Sequence, residues 1–309
     1  MGKFRNVIAA KISGNVGAMN FRRRGADTVV AERSYENSSA GSGSSEGQRL
    51  HRCRLANMVA IFRTIQAIEA RAWEGKKPYV SDFNMLTKIN LASSPVFLTK
   101  EEAALKASVI APYIVSRGSL PSLKQTYEGN TFKVGVKCGA ELDFSLATIG
   151  AVSQAILDRN PDWKDGDKLS IACIDQQQDT VSGVVIPVAK VRYIEFTLDV
   201  NSTATIDTIP GFVALQFDHD LAGELICYLG GDAAFAIHSR KRSGYLETSE
   251  QMVIMKNLLN PIYLQYTSDS QKTKAMDSYG YQGEVLLPPG SEDAGAVSFP
   301  AVVSSIMFA

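Results

Sequence analysis

The chain is short of histidine and has no paired cysteines: three His and four Cys are spread over 309 residues. His51, His219 and His238 are widely separated, which leaves most metal and acid-base constellations short of material. Cys53, Cys138, Cys173 and Cys227 contain no C-x-x-C pair, and three of them sit between apolar neighbours in β-rich segments. Reduced, buried thiols are the expectation. An excess of one charge is also missing. Basic and acidic side chains number 32 each, so no global field favours nucleic acid or an anionic surface, and partners must be argued from local features. No apolar stretch approaches the roughly 20 residues needed to cross a bilayer, and no membrane span is expected. No G-x-S-x-G elbow, phosphate-binding loop or H-E-x-x-H helix is read from the sequence. Near the start only residues 7–10 are continuously apolar, too few for a signal-peptide core. Asn6 stands where a myristoylation signal needs Ser or Thr. Neither export nor lipidation is expected.

What is present begins with an arm. Residues 5–34 read as extended chain broken at Gly14, Gly17 and Gly25, and "RRRGADTVVAER" suggests two short strands around a glycine-containing turn. Then comes "ENSSAGSGSSEG", with almost nothing to bury, which reads as a flexible hinge. The expected layout is an arm over 1–36, a Ser/Gly hinge over 37–48, and a helical unit over 49–112. A β-sandwich-like domain over 113–288 and a C-terminal tail over 289–309 complete it.

In the helical unit Ser45 and Gln48 form a capping box, followed by Leu55, Met58, Val59, Phe62 and Ile65 at helix spacing, with Ile61, Ile68 and Trp73 widening the stripe. Ser81 opens a second helix, and Thr99 with Glu102 opens a third. From residue 113 the period changes to two. "TFKVGVKC", "KLSIACID", "VSGVVIPV", "VRYIEFTLDV", "GFVALQF", "ELICYL" and "AAFAIHS" read as strands of an antiparallel sandwich. Two inserted helices are expected. One lies near 145–159, with Leu146, Ile149, Val152 and Ile156 on one face, and the other near 248–260, opened by Thr248 and Gln251 and stopped at Pro261. The fold class is therefore α+β.

Two polar clusters invite chemistry. Asp162, Asp165, Gly166 and Asp167 faintly resemble a calcium loop, but Lys164 occupies a ligand position and Ile171 the place of the closing glutamate. A helix-to-strand turn, with Asp-Gly supplying a positive φ, is favoured. Asp218, His219, Asp220 and Glu224 suggest a metal or acid-base group, yet neighbours on a strand point to opposite faces, and a solvated hairpin loop is favoured. No catalytic, metal or cofactor residue is assigned.

Arg22, Arg23 and Arg24 make the arm the most basic local segment. Phosphate contact would suit them, but Ile12, Val16, Met19, Phe21, Val29 and Val30 lie beside them in a segment with no core of its own. Protein partners, engaged by strand addition, are the favoured reading. The tail carries a second apolar set: Phe299, Val302, Val303, Ile306 and Phe308. Apolar segments at both ends point to assembly. A glycan-binding sandwich, with Tyr193, Tyr228, Tyr279 and Tyr281 stacking on sugars, is the alternative; an enzyme without a recognisable motif is the third reading.

"KISGNVGAMNFRRRGADTVVAERS", "SSEGQRLHRCRLANM", "SDFNMLTKIN" and "YIVSRGSLPSL" together resemble an uncharacterised Bacteroidetes family. Its N-terminal pattern is I-S-G-x-V-G-x-x-V-F, followed by a Val-Val-x-Arg strand, a Ser-x-x-Q-x-x-x-R helix start and a later "srG-L" strand. The resemblance covers about residues 8–124, with Ser45, Gln48 and Arg52 in the helix-start motif. Members also occur in crAss-like bacteriophages, where relatives look like virion proteins of the tail or its ring-like connector. The resemblance implies a non-enzymatic virion protein made in the bacterial host cytoplasm. It would form a closed homo-oligomeric ring, for which a dodecamer is suitable, beside other tail, ring or portal proteins.

Overall fold

The computed structural model describes residues 2–4, 14–16, 19–24, 27–32, 45–68 and 72–280. The chain divides into two compact units, one spanning Ser45–Tyr279 and the other comprising the two terminal segments. The fold is α+β with antiparallel sheets.

In the terminal unit four short strands, β1 (Gly2–Phe4), β2 (Gly14–Val16), β3 (Met19–Arg24) and β4 (Asp27–Glu32), form one antiparallel sheet in the order β1-β4-β3-β2. The expected strand pair around Gly25 is present as β3 and β4, running from the Met19–Glu32 pair to Arg24–Asp27. Gly14 opens β2 and pairs with Phe21. The arm is therefore not an unpaired ribbon. Its own strands satisfy one another, because returning antiparallel segments meet far more readily than they find a second molecule, and among the described residues the outer edges of β1 and β2 carry no further strand.

The larger unit begins with α1 (Glu46–Ile65), where Ser45 and Gln48 form the full capping box. Next come α2 (Asp82–Asn90), capped by Ser81, and α3 (Lys100–Ala104), boxed by Thr99 and Glu102. The deepest stripe of α1 is Cys53, Asn57, Met58, Ile61 and Ile65, while Leu55, Val59 and Phe62 are only half-buried. The stripe expected from apolar residues alone is thus rotated. Asn57 explains the rotation: its side chain donates to Val109 O at 2.8 Å and accepts from Val109 N at 2.9 Å, so a polar residue belongs at the centre of the buried face.

The β-rich part has two facing sheets. The first runs β10 (Phe217–His219), β11 (Glu224–Cys227), β7 (Thr131–Lys137), β6 (Thr126–Glu128). The second runs β13 (Tyr245–Thr248), β12 (Ala233–Arg242), β8 (Lys168–Val181), β9 (Val184–Thr197), with β15 (Ile254–Met255) also on β12. A small pair, β5 (Ile114–Ser116) with β14 (Gln251–Met252), lies apart. β8 and β9 pair over 14 residues each through Ser182 and Gly183, both with positive φ (52° and 80°), the geometry that a two-residue hairpin turn requires. The two runs read separately as "VSGVVIPV" and "VRYIEFTLDV" are this single strand β9.

Both faces of the second sheet are covered. Leu169, Ile171 and Cys173 of β8, with Ala234 and Ala236 of β12, pack against Phe132, Val134 and Leu225 of the first sheet. The alternate residues Ala172, Ile174, Phe235 and Ile237 pack against Met58, Ile61 and Ile65 of α1. Period-two alternation places successive residues on opposite faces, so these strands form the middle of three layers. The helices are an outer layer sharing this core, and residue 112 is not a packing boundary. The sandwich-like arrangement holds for the two sheets, but the helical segment expected as a separate unit does not stand alone.

Three other expectations are corrected. Leu146 precedes α4 (Ile149–Arg159) and is 76% exposed, because Thr148 caps the helix and its first residue is Ile149 rather than Ser145. Residues 248–260 form no helix: Thr248 ends β13, and β14 and β15 follow. Pro261 opens α6 (Pro261–Thr267) at its first position, with Asn260 as cap; a proline there loses no needed N–H. It is followed by α7 (Asp269–Ser278). "GFVALQF" is not a strand but one helical turn, α5 (Phe212–Leu215), entered at Gly211 with φ 92°, followed by β10. A Cβ at Gly211 would stand 2.0 Å from Tyr193 O, so only glycine fits.

Buried amides stitch the layers. Gln125 donates to Ala236 O at 2.6 Å and accepts from Ala236 N at 3.0 Å. Gln176 donates to Ser108 O and accepts from Ile110 N, and Asn90 bridges both backbone groups of Ile114. Each offers extended backbone the donor and acceptor that a neighbouring strand would otherwise supply.

Candidate functional site

The four-stranded terminal sheet has two unlike faces by register. Phe21 is opposite Val30 and Gly14, Met19 is opposite Val16 and Glu32, and Phe4 is opposite Thr28. Directly opposed residues share a face, so Phe4, Val16, Met19, Phe21 and Val30 fall together. Arg22 is opposite Val29, Lys3 is also opposite Val29, and Arg24 is opposite Asp27. Lys3, Asn15, Asn20, Arg22, Arg24 and Val29 therefore belong to the other face. Arg23, opposite Thr28, falls with Phe21. Of the expected assembly residues, Val16, Met19, Phe21 and Val30 are brought to one face, and Arg22, Arg24 and Val29 to the other. Ile12, Phe299, Val302, Val303, Ile306 and Phe308 lie outside the described residues.

In the larger unit the turn after α4 holds a buried polar knot. Gly166 has φ 84°, as the Asp-Gly turn requires. Asp167 Oδ2 lies 2.8 Å from His238 Nε2, and Arg240 reaches the same carboxylate through Nε and Nη2 at 2.7 Å each. The Trp163 ring stacks on the His238 ring, with centroids 3.8 Å apart and planes 8° from parallel. Burial alone would raise the Asp167 pKa, but hydrogen bonds from His238, Arg240 and the Lys164 N–H outweigh it and hold the carboxyl below its ordinary value. Asp167 and His238 are each 1% exposed. An Asp–His pair this sealed has no room for a reacting molecule, and it ties β12 to the turn that starts β8. Asp165 instead accepts from Val200 N, at 3.1 Å. The three aspartates do not converge.

In the 217–224 hairpin, Asp218 and His219 are hydrogen-bonded to each other although they are strand neighbours. Asp218 Oδ1 lies 2.9 Å from His219 Nδ1 and also accepts the His219 backbone N–H at 2.8 Å. Both residues are paired at the end of β10, and the carboxylate turns back along the backbone to its neighbour. The His219 ring is itself stacked on Phe144. Asp220 turns elsewhere, accepting from Ala222 N and Glu224 N and pairing with Lys133 at 3.0 Å. Burial opposes these contacts, yet they hold its carboxyl below the ordinary range. Glu224 accepts from Gly135 N. Among the described residues no group of three or more His, Cys, Asp and Glu is placed to hold a metal ion.

The four cysteines are free and buried. Contact with the Cys173 thiol, together with burial, holds the Cys227 thiol well above the usual range, and burial pushes Cys138 up to about 12. Such thiols are poor nucleophiles at neutral pH. Of the aromatic residues considered for sugar stacking, Tyr193 and Tyr228 are 41% and 44% exposed. Tyr279 is half-buried against Cys53 and Phe97, and Tyr281 lies outside the described residues. Sequence reasoning passed over the basic first half of α1, where Arg49, His51, Arg52 and Arg54 crowd into two turns. The run was legible but was read only as part of a motif.

The larger unit and the terminal sheet define a two-unit α+β protein, and no helix among the described residues is long and apolar enough to cross a membrane. No protein-family model matches the chain, and neither does any curated protein or solved structure.

Proposed function

We propose that the protein is a structural component of a bacteriophage virion, assembling into a closed ring of the tail or head-to-tail connector through its terminal segments. The observation that carries this reading is the amphipathic register of the terminal sheet. A sheet whose register collects Phe4, Val16, Met19, Phe21 and Val30 on one face calls for another layer to cover that face. The outer edges of β1 and β2, unpaired among the described residues, offer backbone to a neighbour in the manner of strand addition. Two unlike contact surfaces suit a head-to-tail interface, which closes into a ring when the rotation permits. Equal numbers of acidic and basic side chains limit repulsion among many close copies. The resemblance of about residues 8–124 to a Bacteroidetes family with members in crAss-like bacteriophages supports the same reading, and the role is one of assembly without catalysis. Neighbouring tail, ring or portal proteins are the expected partners, in the virion. The test is native mass spectrometry of full-length protein, alone and co-expressed with its genomic neighbours: a discrete closed oligomer is expected, and single separated copies in a virion map would overturn the reading.

One observation favours glycan binding as a second reading. Tyr228 borders a cavity of about 360 Å³ lined also by Glu128, Lys133 and Asp220, an aromatic platform beside polar groups. Polysaccharide binding by a monomer lacking residues 1–44, lost in Tyr228→Ala, would establish it; an unchanged affinity would dismiss it.

A further inference from the structure

The last turn of α2 and the first half of α1 enclose a cavity of about 370 Å³, lined by Gly47, Leu50, His51 and Arg54 on one side and Thr87, Lys88, Leu91 and Ala92 on the other. The α1 residues follow the spacing of one helix face. Three of the lining side chains are basic and none is acidic. Glu46, beside Gly47 in the first turn, is the adjacent acid, and it does not line the cavity.

Two polar atoms at this cavity stand without a hydrogen-bond partner among the described residues: Arg54 Nε and Thr87 Oγ1, both withdrawn from the surface. Buried polar groups in folded proteins are normally satisfied, and each exception asks for an explanation. Elsewhere in this chain helical threonines return their hydroxyl to the carbonyl four residues back, as Thr64 does to Ala60 O and Thr267 to Tyr263 O. Thr87 does not. The Arg54 guanidinium is held from two sides, donating through Nη1 to Ala92 O at 2.9 Å and lying 5.5 Å from the centre of the Phe97 ring. The Ala92 contact satisfies a carbonyl at the end of α2, which would otherwise oppose an anion. It also fixes the guanidinium plane.

We propose that this notch is a binding site for a phosphate-type oxyanion, either a free phosphate compound or the phosphodiester of a nucleic acid backbone. Arg54 would present its planar fork, the geometry that matches two oxygens of a tetrahedral anion. The Lys88 ammonium adds a point charge, the Thr87 hydroxyl donates one hydrogen bond, and the His51 ring contributes an N–H. The site is independent of the terminal sheet, so it can fail without affecting the ring proposal, and the converse also holds.

The experiment titrates full-length protein with sodium phosphate against sodium chloride at matched ionic strength, reading the His51 ring resonances. Saturable binding is expected, weakened about tenfold or more in Lys88→Gln and in Thr87→Val, with Arg54→Lys also weakened because it keeps the charge and loses the fork. Circular dichroism confirms that each variant is folded; Lys88 is exposed, so its variant remains informative even if the Arg54 change unfolds the chain. Repeating the titration with duplex DNA distinguishes the sources. If a phosphodiester is the ligand, DNA affinity falls in the same variants and the salt dependence loses about 0.9 in log–log slope for each phosphate contact removed. If DNA affinity is indifferent to them while phosphate binding is not, a free phosphate compound is the ligand. Absence of saturable phosphate binding, or binding that Lys88→Gln and Thr87→Val leave unchanged, overturns the proposal.

Discussion

The terminal sheet and the central sheet of the larger unit are both antiparallel, with four and five strands, yet they solve the problem of apolar surface in opposite ways. The central sheet is the middle of three layers, and neighbouring residues of β8 and β12 go alternately to two different cores. In the terminal sheet register collects Phe4, Val16, Met19, Phe21 and Val30 on one face, and its longest strands are six residues against fourteen in the hairpin of β8 and β9. A sheet with both faces occupied is complete within its own chain. One-sided apolar register asks for a further layer, and this contrast connects the fold to the proposed assembly.

Substitutions in the central layer should have the largest effect on stability. Phe235 is fully buried in the core shared with α1, and Phe235→Ala should cost about 3–5 kcal/mol in urea unfolding. A loss below about 1 kcal/mol would mean that the middle layer is not the centre of the unit. Asp167→Ala should cost a similar 3–5 kcal/mol, since it leaves Arg240 and His238 facing an empty acceptor. The same aspartate sets a pH dependence. Its folded pKa is depressed, so its contribution is present above the unfolded pKa and is lost as pH falls through the folded value. Wild-type stability should therefore drop on acidification below about pH 4 more steeply than that of Asp167→Asn. Parallel acid curves would break the assignment.

An intermediate effect is expected at the stitches between layers. Asn57→Leu removes both bonds to Val109 and leaves its buried backbone groups unpaired, a loss of about 1–3 kcal/mol measured by the same unfolding.

Changes in the terminal sheet should hardly alter the stability of the larger unit. Deleting residues 1–44 should leave its thermal unfolding nearly unchanged while assembly fails; if the deletion unfolds the whole chain, the two regions are not separate in stability. Phe21→Asp and Val30→Asp remove anchors worth roughly 1.5–3 kcal/mol each when fully buried. They should impair assembly more than Arg22, Arg23 and Arg24 changed together to Gln, and should do so at high salt, which screens exposed charge and spares apolar contact. The reverse ranking in sedimentation experiments would make the arm an electrostatic clamp.

The smallest effect is a count. Denaturing thiol titration without reductant should find four free thiols, matching four buried free cysteines.

Local signals carried further than long-range ones. The caps at Ser45, Ser81 and Thr99 were all legible, because a cap bonds to an amide three residues away and its information is contained in that span. So was the strand pair around Gly25. The segment 248–260 was misread because Thr248 and Gln251 imitate a capping box and Pro261 a helix stop, while its actual partners, β5 and β12, lie outside that span. Asp167 was legible as a turn residue but not as the acceptor of His238, 71 residues distant. The α1–α2 cavity was hidden for the same reason: its basic run is local, but Thr87 and Lys88 arrive from another helix.

Composition, capping residues and period were enough to determine an α+β chain with an amphipathic arm, buried thiols and helices starting where their first amides find a side chain. Each depends on interactions within a few residues. The tertiary structure alone decided that the helices cover the second face of the central sheet, that Asn57 belongs in the core, and that β1 and β2 join the β3–β4 pair in one sheet. Those outcomes depend on which distant surfaces meet and on which buried donors find acceptors, and neither is written in any single stretch of sequence.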